Sequence, residues 1–244
     1  MRDLELAGLT VRLAGGTDRE GGGDGPLVVL LHGFGAPGDD LVPLWRVLGA
    51  PPGTRWAFPA APLVLGDELG APRESAAFRD SRAWWIIDIE RRLRAAERGR
   101  LEAMTLEVPF GMAEARAQVT AVLEELEVRL KPTSIVLGGF SQGAMLACDV
   151  ALRTDRALAG IALLSGTLLA AKEWAPLAVG RRGLAVFQSH GAVDPLLPFA
   201  YAERLRDLLS TGGLDVTWVP FRGGHEIPDT VLSALGRWIR AVLT

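Results

Sequence analysis

Gly139-Phe140-Ser141-Gln142-Gly143 sets a serine between two glycines, directly after the apolar run Ser134 to Phe140 and directly before the helical pattern Gln142 to Leu152. A tight strand-to-helix turn at that point lifts the serine hydroxyl to the carboxyl edge of a sheet, and glycines on either side remove side chains that would clash. The new helix aims its free N–H groups and positive dipole end at the same spot. Such a serine is equipped to attack an acyl carbonyl. The competing account is a serine that only caps a helix, since Ser is a favoured N-cap residue.

A serine hydroxyl needs a base within hydrogen-bond reach, and the chain offers three imidazoles, His32, His190 and His225. His225 lies in Gly223-Gly224-His225-Glu226, after an apolar run ending at Phe221 and before the last helical pattern, so it is expected at the same sheet edge as the serine. His32 and His190 each follow a strand run and precede a glycine, which suits a structural or loop-orienting role better. A carboxylate must then fix the imidazole tautomer, and the chain order serine, acid, histidine selects Asp194, in the loop after the run Leu184 to Gln188. Asp215 opens a strand and Asp229 falls in the first turn of the last helix, where capping and dipole roles suffice.

Acyl transfer also requires donors for the oxyanion that develops on the carbonyl oxygen. The amide of Gln142, next after the serine, is one candidate. The loop His32-Gly33-Phe34-Gly35 supplies the other through the Phe34 amide, although the same glycines would serve an ordinary turn. Trp84 and Trp85 are candidates for contact with an acyl chain, set against the simpler role of core packing.

These groups need a scaffold that brings distant segments to one edge. Short apolar runs at Leu27 to Leu31, Ser134 to Phe140, Gly160 to Ser165, Leu184 to Gln188 and Val216 to Phe221 alternate with helical patterns. The helical stretches are Asp39 to Leu48, Ala113 to Leu130, Gln142 to Leu152, Pro198 to Leu209 and Ile227 to Leu243. That alternation predicts an α/β fold with a mostly parallel central sheet and helices on both faces. Leu4 to Leu13 alternates apolar and polar positions and is expected as an antiparallel N-terminal edge strand.

With 244 residues and no long linker, residues 1–244 are expected to form a single domain. Its least regular part, residues 60–111, includes a charged helical stretch from Glu90 to Met104 and reads either as a cap or lid or as an ordinary surface excursion. A net charge of −3 without a long basic run argues against nucleic acid as a partner. The lone cysteine, Cys148, forms no intrachain disulfide and falls in an apolar run, as an inert buried thiol would. The N-terminus lacks the apolar core of a signal peptide, and no apolar stretch approaches the ~18 residues that span a bilayer. A cytoplasmic protein without stable membrane insertion is therefore expected.

Leu31-His32-Gly33-Phe34-Gly35, Phe58-Pro59-Ala60-Ala61-Pro62, Ala83-Trp84-Trp85, Gly138 to Gly143, His190 to Pro195 and Gly224-His225-Glu226 together resemble the phospholipase/carboxylesterase family of α/β-hydrolases, which includes acyl-protein thioesterases and bacterial carboxylesterases. The resemblance implies a Ser141, Asp194, His225 triad, an oxyanion hole of the Phe34 and Gln142 amides, and hydrolysis of a small-molecule acyl ester, a thioester or a lysophospholipid without cofactor or metal. Some members dimerise, so a homodimer is a state to test. A non-catalytic ligand-binding protein on the same scaffold, or a peptidase or acyltransferase, are the rival readings. Two departures stand out: Phe34 replaces a common leucine, and Ile86 to Gly111 is longer and more charged than in the smallest members, which bears on acyl preference.

Overall fold

The computed structural model describes residues 1–68, 80–88, 91, 94 and 101–244. Among them the main sheet has nine strands. β1 (Arg2–Leu6) and β2 (Leu9–Gly16) form an antiparallel hairpin, β3 (Glu20–Gly22) pairs with β2, and β2 runs antiparallel to β5 (Arg55–Pro59). From β5 the sheet continues in parallel through β4 (Leu27–Leu31), β8 (Ile135–Phe140), β9 (Gly160–Leu164), β10 (Ala185–Gly191) and β11 (Asp215–Phe221). A small second sheet pairs β6 (Leu63–Val64) with β7 (Arg82–Ala83).

The five expected parallel strands are all present, and side-chain alternation divides them between two cores. Leu27, Val29, Leu31, Leu137, Ile161, Leu163 and Val186 face one core, which takes in residues of helices Met112–Leu130, Gln142–Arg153, Ala171–Gly180 and Phe199–Gly212. Val28, Leu30, Val136, Ala162, Leu164 and Phe187 face the other, closed by Val231, Leu235, Trp238 and Ile239 of helix Asp229–Leu243. Strands buried on both faces carry no polar stripe, which is why they read as continuous apolar runs.

Several expectations need correction. The single edge strand Leu4 to Leu13 is two strands, reversed at Ala7 (φ 48°) and Gly8 (φ 77°). Two successive positive φ values make the primed two-residue turn that suits a hairpin, but Ala-Gly lacks the Asn-Gly or Asp-Gly signal that announces one. The helix expected over Asp39 to Leu48 shrinks to the single turn Leu44–Val47 after Pro43. Helix Ala171–Gly180 was not expected because Pro176, inside it, interrupts the pattern. The helical stretch expected over Glu90 to Met104 falls largely outside the described residues, of which Leu101–Met104 is a helical turn, and the lid expected over residues 60–111 falls outside them in part.

Strand β5 was also unforeseen, since Arg55 at its start and Pro59 at its end obscure a strand whose five residues are all buried. Arg55 is accommodated because backbone carbonyls surround its guanidinium. Nη1 donates to Leu130 O (2.7 Å) and Gly23 O (2.8 Å), and Nε donates to Gly25 O (3.1 Å). The side chain thus ties the turn before β4 to the end of helix Met112–Leu130. Arg55→Met is expected to leave those carbonyls without their partner and to destabilise by about 2–4 kcal/mol, lowering Tm by roughly 5–15 °C in a calorimetric scan. An unchanged Tm would refute this role.

Candidate active site

Strand β8 passes into helix Gln142–Arg153 with one intervening residue, Ser141, at φ 54° and ψ −114°. Left-handed φ is costly for a residue with a Cβ and persists only where the surroundings enforce it. Here the Ser141 amide donates to Leu164 O of β9 (2.8 Å), and the Ser141 carbonyl accepts from Ala144 and Met145 (3.1 and 3.2 Å). The glycines are required by contact: a Cβ on Gly143 would lie 2.0 Å from Leu31 O, and one on Gly139 would lie 2.5 Å from Gly143 C. The Ser141 side chain makes no capping bond to the helix. Its hydroxyl is directed elsewhere.

It meets His225, whose Nε2 lies 2.8 Å from Ser141 Oγ, while His225 Nδ1 lies 2.7 Å from Asp194 Oδ2. Asp194 Oδ1 accepts the amides of Leu196 (2.8 Å) and Leu197 (2.9 Å). Burial pushes the Asp194 carboxyl up, but the hydrogen bond from His225 and the Leu197 and Leu196 amides outweigh it and hold the group below its usual range. An ionised carboxylate accepts only, so Nδ1 of His225 carries the hydrogen and Nε2 offers its lone pair to the serine hydroxyl. The Phe140 ring stands 4.8 Å from the imidazole, centroid to centroid.

The loops bearing Asp194 and His225 are locked to one another. Ala192 N donates to Phe221 O (2.8 Å) and Val193 N to Gly223 O (3.1 Å). At Gly191 a Cβ would come within 2.1 Å of Gly224 O, so only glycine lets the end of β10 pass beneath the His225 loop.

The other two histidines are structural neighbours of the site. His32 accepts the Ala61 amide at Nε2 (2.9 Å), so Nδ1 donates to Gly33 O (2.8 Å). Burial drives its pKa down to about 4, and the ring stays neutral. His190 lies within β10, not in the loop after it, because that strand runs three residues beyond Gln188. Its Nε2 donates to Leu197 O (2.8 Å) and lies 3.3 Å from Asp194 Oδ2, and burial lowers its pKa as well. His190 therefore supports the segment on which Asp194 sits.

Of the two candidate oxyanion donors, the Gln142 amide opens the helix and Phe34 follows Gly33, where a Cβ would lie 3.4 Å from Ser141 Cβ. Among the described residues neither amide has a hydrogen-bond partner. Both tryptophans are 2% exposed. The Gln142 side chain accepts Trp84 N (3.0 Å) and donates to Trp85 O (2.8 Å), and Trp84 Nε1 donates to His32 O (3.0 Å). Trp84 is thus a brace between the two donor segments. Trp85 differs, for it lines a pocket of about 190 Å³ together with Met145, Leu169 and Pro109. Sequence reasoning missed this bracing role of the Gln142 side chain and missed Met145, though its position four residues after Ser141 places it on the same helix face.

Among the described residues no group of three or more His, Cys, Asp or Glu is placed to hold a metal ion, and Cys148 is free and buried, its thiol raised by burial.

The sheet order, the serine on a strand-to-helix turn and the acid and base on later strand ends define an α/β-hydrolase fold. The phospholipase/carboxylesterase family model matches residues 109–243, more than half of the chain, and the chain belongs to that family. Acyl-protein thioesterase 1 of Gibberella zeae is 32% identical over 126 residues, covering 50% of this chain and 54% of that protein. Acyl-protein thioesterase 1 of Cryptococcus neoformans is 28% identical over 195 residues, covering 75% and 71%. The chain thus spans about half the length of the first of these relatives. The crystal structure of esterase PE8 superposes with a TM-score of 0.77 at 28% identity, over 96% of this chain and 99% of that one.

Two outcomes test this architecture. Gly143→Ala should prevent native folding or abolish its cooperativity, seen as a lost or much earlier circular-dichroism melt, whereas a wild-type melt would show that the Leu31 contact is not limiting. The second concerns acid. His32 has a folded pKa of about 4 against an unfolded value near 6.5. The unfolded chain alone takes up that proton as pH falls between those values, so stability present above pH ~6.5 is lost toward pH ~4, by on the order of 3 kcal/mol. Urea titrations at several pH values should show a shallower loss in His32→Gln; an identical slope would contradict it.

Proposed function

We propose that the protein is a serine hydrolase that cleaves carboxylic esters, thioesters among them, through an acyl-enzyme on Ser141. The observation that carries this reading is the continuous hydrogen-bonded chain from Ser141 Oγ through His225 to Asp194, at 2.8 and 2.7 Å.

In this reading Ser141 Oγ attacks the acyl carbonyl while His225 Nε2 takes its proton, and ionised Asp194 stabilises the imidazolium. The oxyanion is received by the Phe34 and Gln142 amides, which lack other partners among the described residues. His225 then gives its proton to the departing alcohol or thiol. A water, deprotonated by His225, attacks the acyl-enzyme carbonyl and releases the acid, restoring Ser141. The acyl group rests in the pocket walled by Trp85, Met145 and Leu169. The cycle uses side chains, backbone amides and water, and calls for no cofactor.

The names of the relatives extend the proposal to S-acyl substrates, since two of them are acyl-protein thioesterases. No helix among the described residues is long and apolar enough to cross a membrane. We place the protein in the cytoplasm, acting on small acyl esters, and a homodimer is the assembly to look for.

Steady-state hydrolysis of p-nitrophenyl butyrate provides the test. Ser141→Ala is expected to lose at least ~10⁴-fold in kcat and Asp194→Asn a comparable factor, each with the fold retained by circular dichroism. Acidification should depress wild-type kcat/KM toward tenfold per pH unit, because imidazolium cannot accept the serine proton. A Ser141→Ala variant with wild-type turnover, or an activity independent of pH from mildly alkaline to acidic, would overturn the assignment.

A further inference from the structure

The pocket lined by Met145, one helical turn on from Ser141, has two chemically different sides. Its apolar wall starts at the nucleophile turn, where Met145 N donates to Ser141 O (3.2 Å) and the Gln142 side chain holds Trp85 O (2.8 Å). Ile86, Ile87, Pro109, Phe110 and Leu169 continue that wall. Three charged residues, Asp88, Arg91 and Glu107, complete the lining. The Arg91 guanidinium lies 2.7 Å from Glu107 Oε1, and the Arg91 amide donates to Asp88 Oδ1 (2.8 Å). The Glu107 backbone is itself anchored, its carbonyl accepting the Ala170 amide (3.2 Å) next to Leu169. Both side chains of the ion pair remain hydrated, at 54% and 43% exposure.

We propose that the Arg91–Glu107 pair is the specificity determinant that limits acyl length, so that acyl groups of about six to eight carbons are preferred and longer ones are discriminated against. This inference rests on the serine-hydrolase reading above. The limit follows from volume and charge. An apolar cavity of ~150 Å³ accommodates the six carbons of benzene, so the 190 Å³ pocket holds slightly more. Each methylene that enters apolar surroundings contributes about fourfold to binding, the equivalent of ~0.8 kcal/mol per CH₂. Once the pocket is filled, further methylenes must lie against the guanidinium and carboxylate. Covering that pair strips water from two charges that were hydrated in the free enzyme, which opposes binding instead of adding to it.

The charges come from the Ile86 to Gly111 segment, which contributes these residues in addition to the nucleophile framework. A single charge-assisted bond from the Arg91 guanidinium to Glu107 Oε1 keeps the pair on the pocket edge. Replacing the pair by apolar residues of similar size converts the edge into an extension of the wall.

The experiment measures kcat/KM for p-nitrophenyl esters from acetate to palmitate, below their aggregation concentrations, for the wild type, Glu107→Gln and the double variant Arg91→Met/Glu107→Leu. Wild-type kcat/KM is expected to climb about fourfold per methylene up to hexanoate or octanoate and to fall at least tenfold by laurate. The double variant should move the break to decanoate or laurate and raise the laurate-to-hexanoate ratio tenfold or more, with Glu107→Gln between the two. A wild-type profile that keeps rising through laurate overturns the inference, as does a break that neither variant moves. If the double variant does not fold, the wild-type profile and Glu107→Gln decide. Absence of turnover with every ester would instead sink the serine-hydrolase reading, and this inference with it.

Discussion

One residue of backbone separates β8 from the helix that follows it, and that residue is held at φ 54°, ψ −114°. The geometry of the site depends on this compression. For Ser141 to occupy it, Gly139 and Gly143 must have no side chains, because Gly143 C and Leu31 O occupy the space their Cβ atoms would need. Leu31 in turn is fixed by pairing of β4 with β8 in register Leu31 to Gly139. The strain at Ser141 is offset by ordinary parallel-sheet bonding on both sides, with β4 on one and β9, through Leu164 O, on the other. The placement of the half-buried hydroxyl is therefore a consequence of the central sheet, which positions it more sharply than a loop would.

Two further sets of contacts transmit that position to the remaining groups. Across β10 and β11, paired from Ala185 with Asp215 to Gly191 with Phe221, the acid and base loops emerge side by side and are stitched together by backbone bonds at Ala192 and Val193. Across the opposite side, the Gln142 amide side chain, Trp84 and His32 link the first turn of the helix to the loop after β4. These are buried polar groups whose bonds are satisfied by one another, so they specify one arrangement and are costly to disrupt. Neutral His32 is part of that arrangement, which ties the integrity of the Phe34 loop to pH.

Much of this was legible in the residues, and the reasons for what was not are physical. Strands β4, β8 and β9 were readable because burial on both faces leaves runs of Val, Leu and Ile, and the pentapeptide was readable because its glycines answer a steric demand that no other residue meets. Chain order and strand ends point to Ser141, Asp194 and His225, and the fold brings their polar atoms together. Strand β5 escaped because Arg55 is stabilised by carbonyls from segments remote in sequence, which no local pattern records. His190 reads as a loop residue because Ser189, His190 and Gly191 lack strand propensity, yet pairing with β11 extends β10 over all three. The pocket beside Trp85 was invisible for the same reason. Its walls come from the helix after Ser141, from Trp85 and its neighbours and from Pro109 and Leu169, and only the fold brings them together.

The central claim is that Ser141 is a nucleophile activated by His225. Treatment with a fluorophosphonate, followed by intact mass and peptide mapping, tests it most directly, because stable phosphonylation requires an activated hydroxyl as well as an exposed one. The account predicts one adduct per chain, located on Ser141 and formed far more slowly in His225→Ala. Absence of an adduct, labelling at another residue, or an unchanged rate in His225→Ala would contradict it.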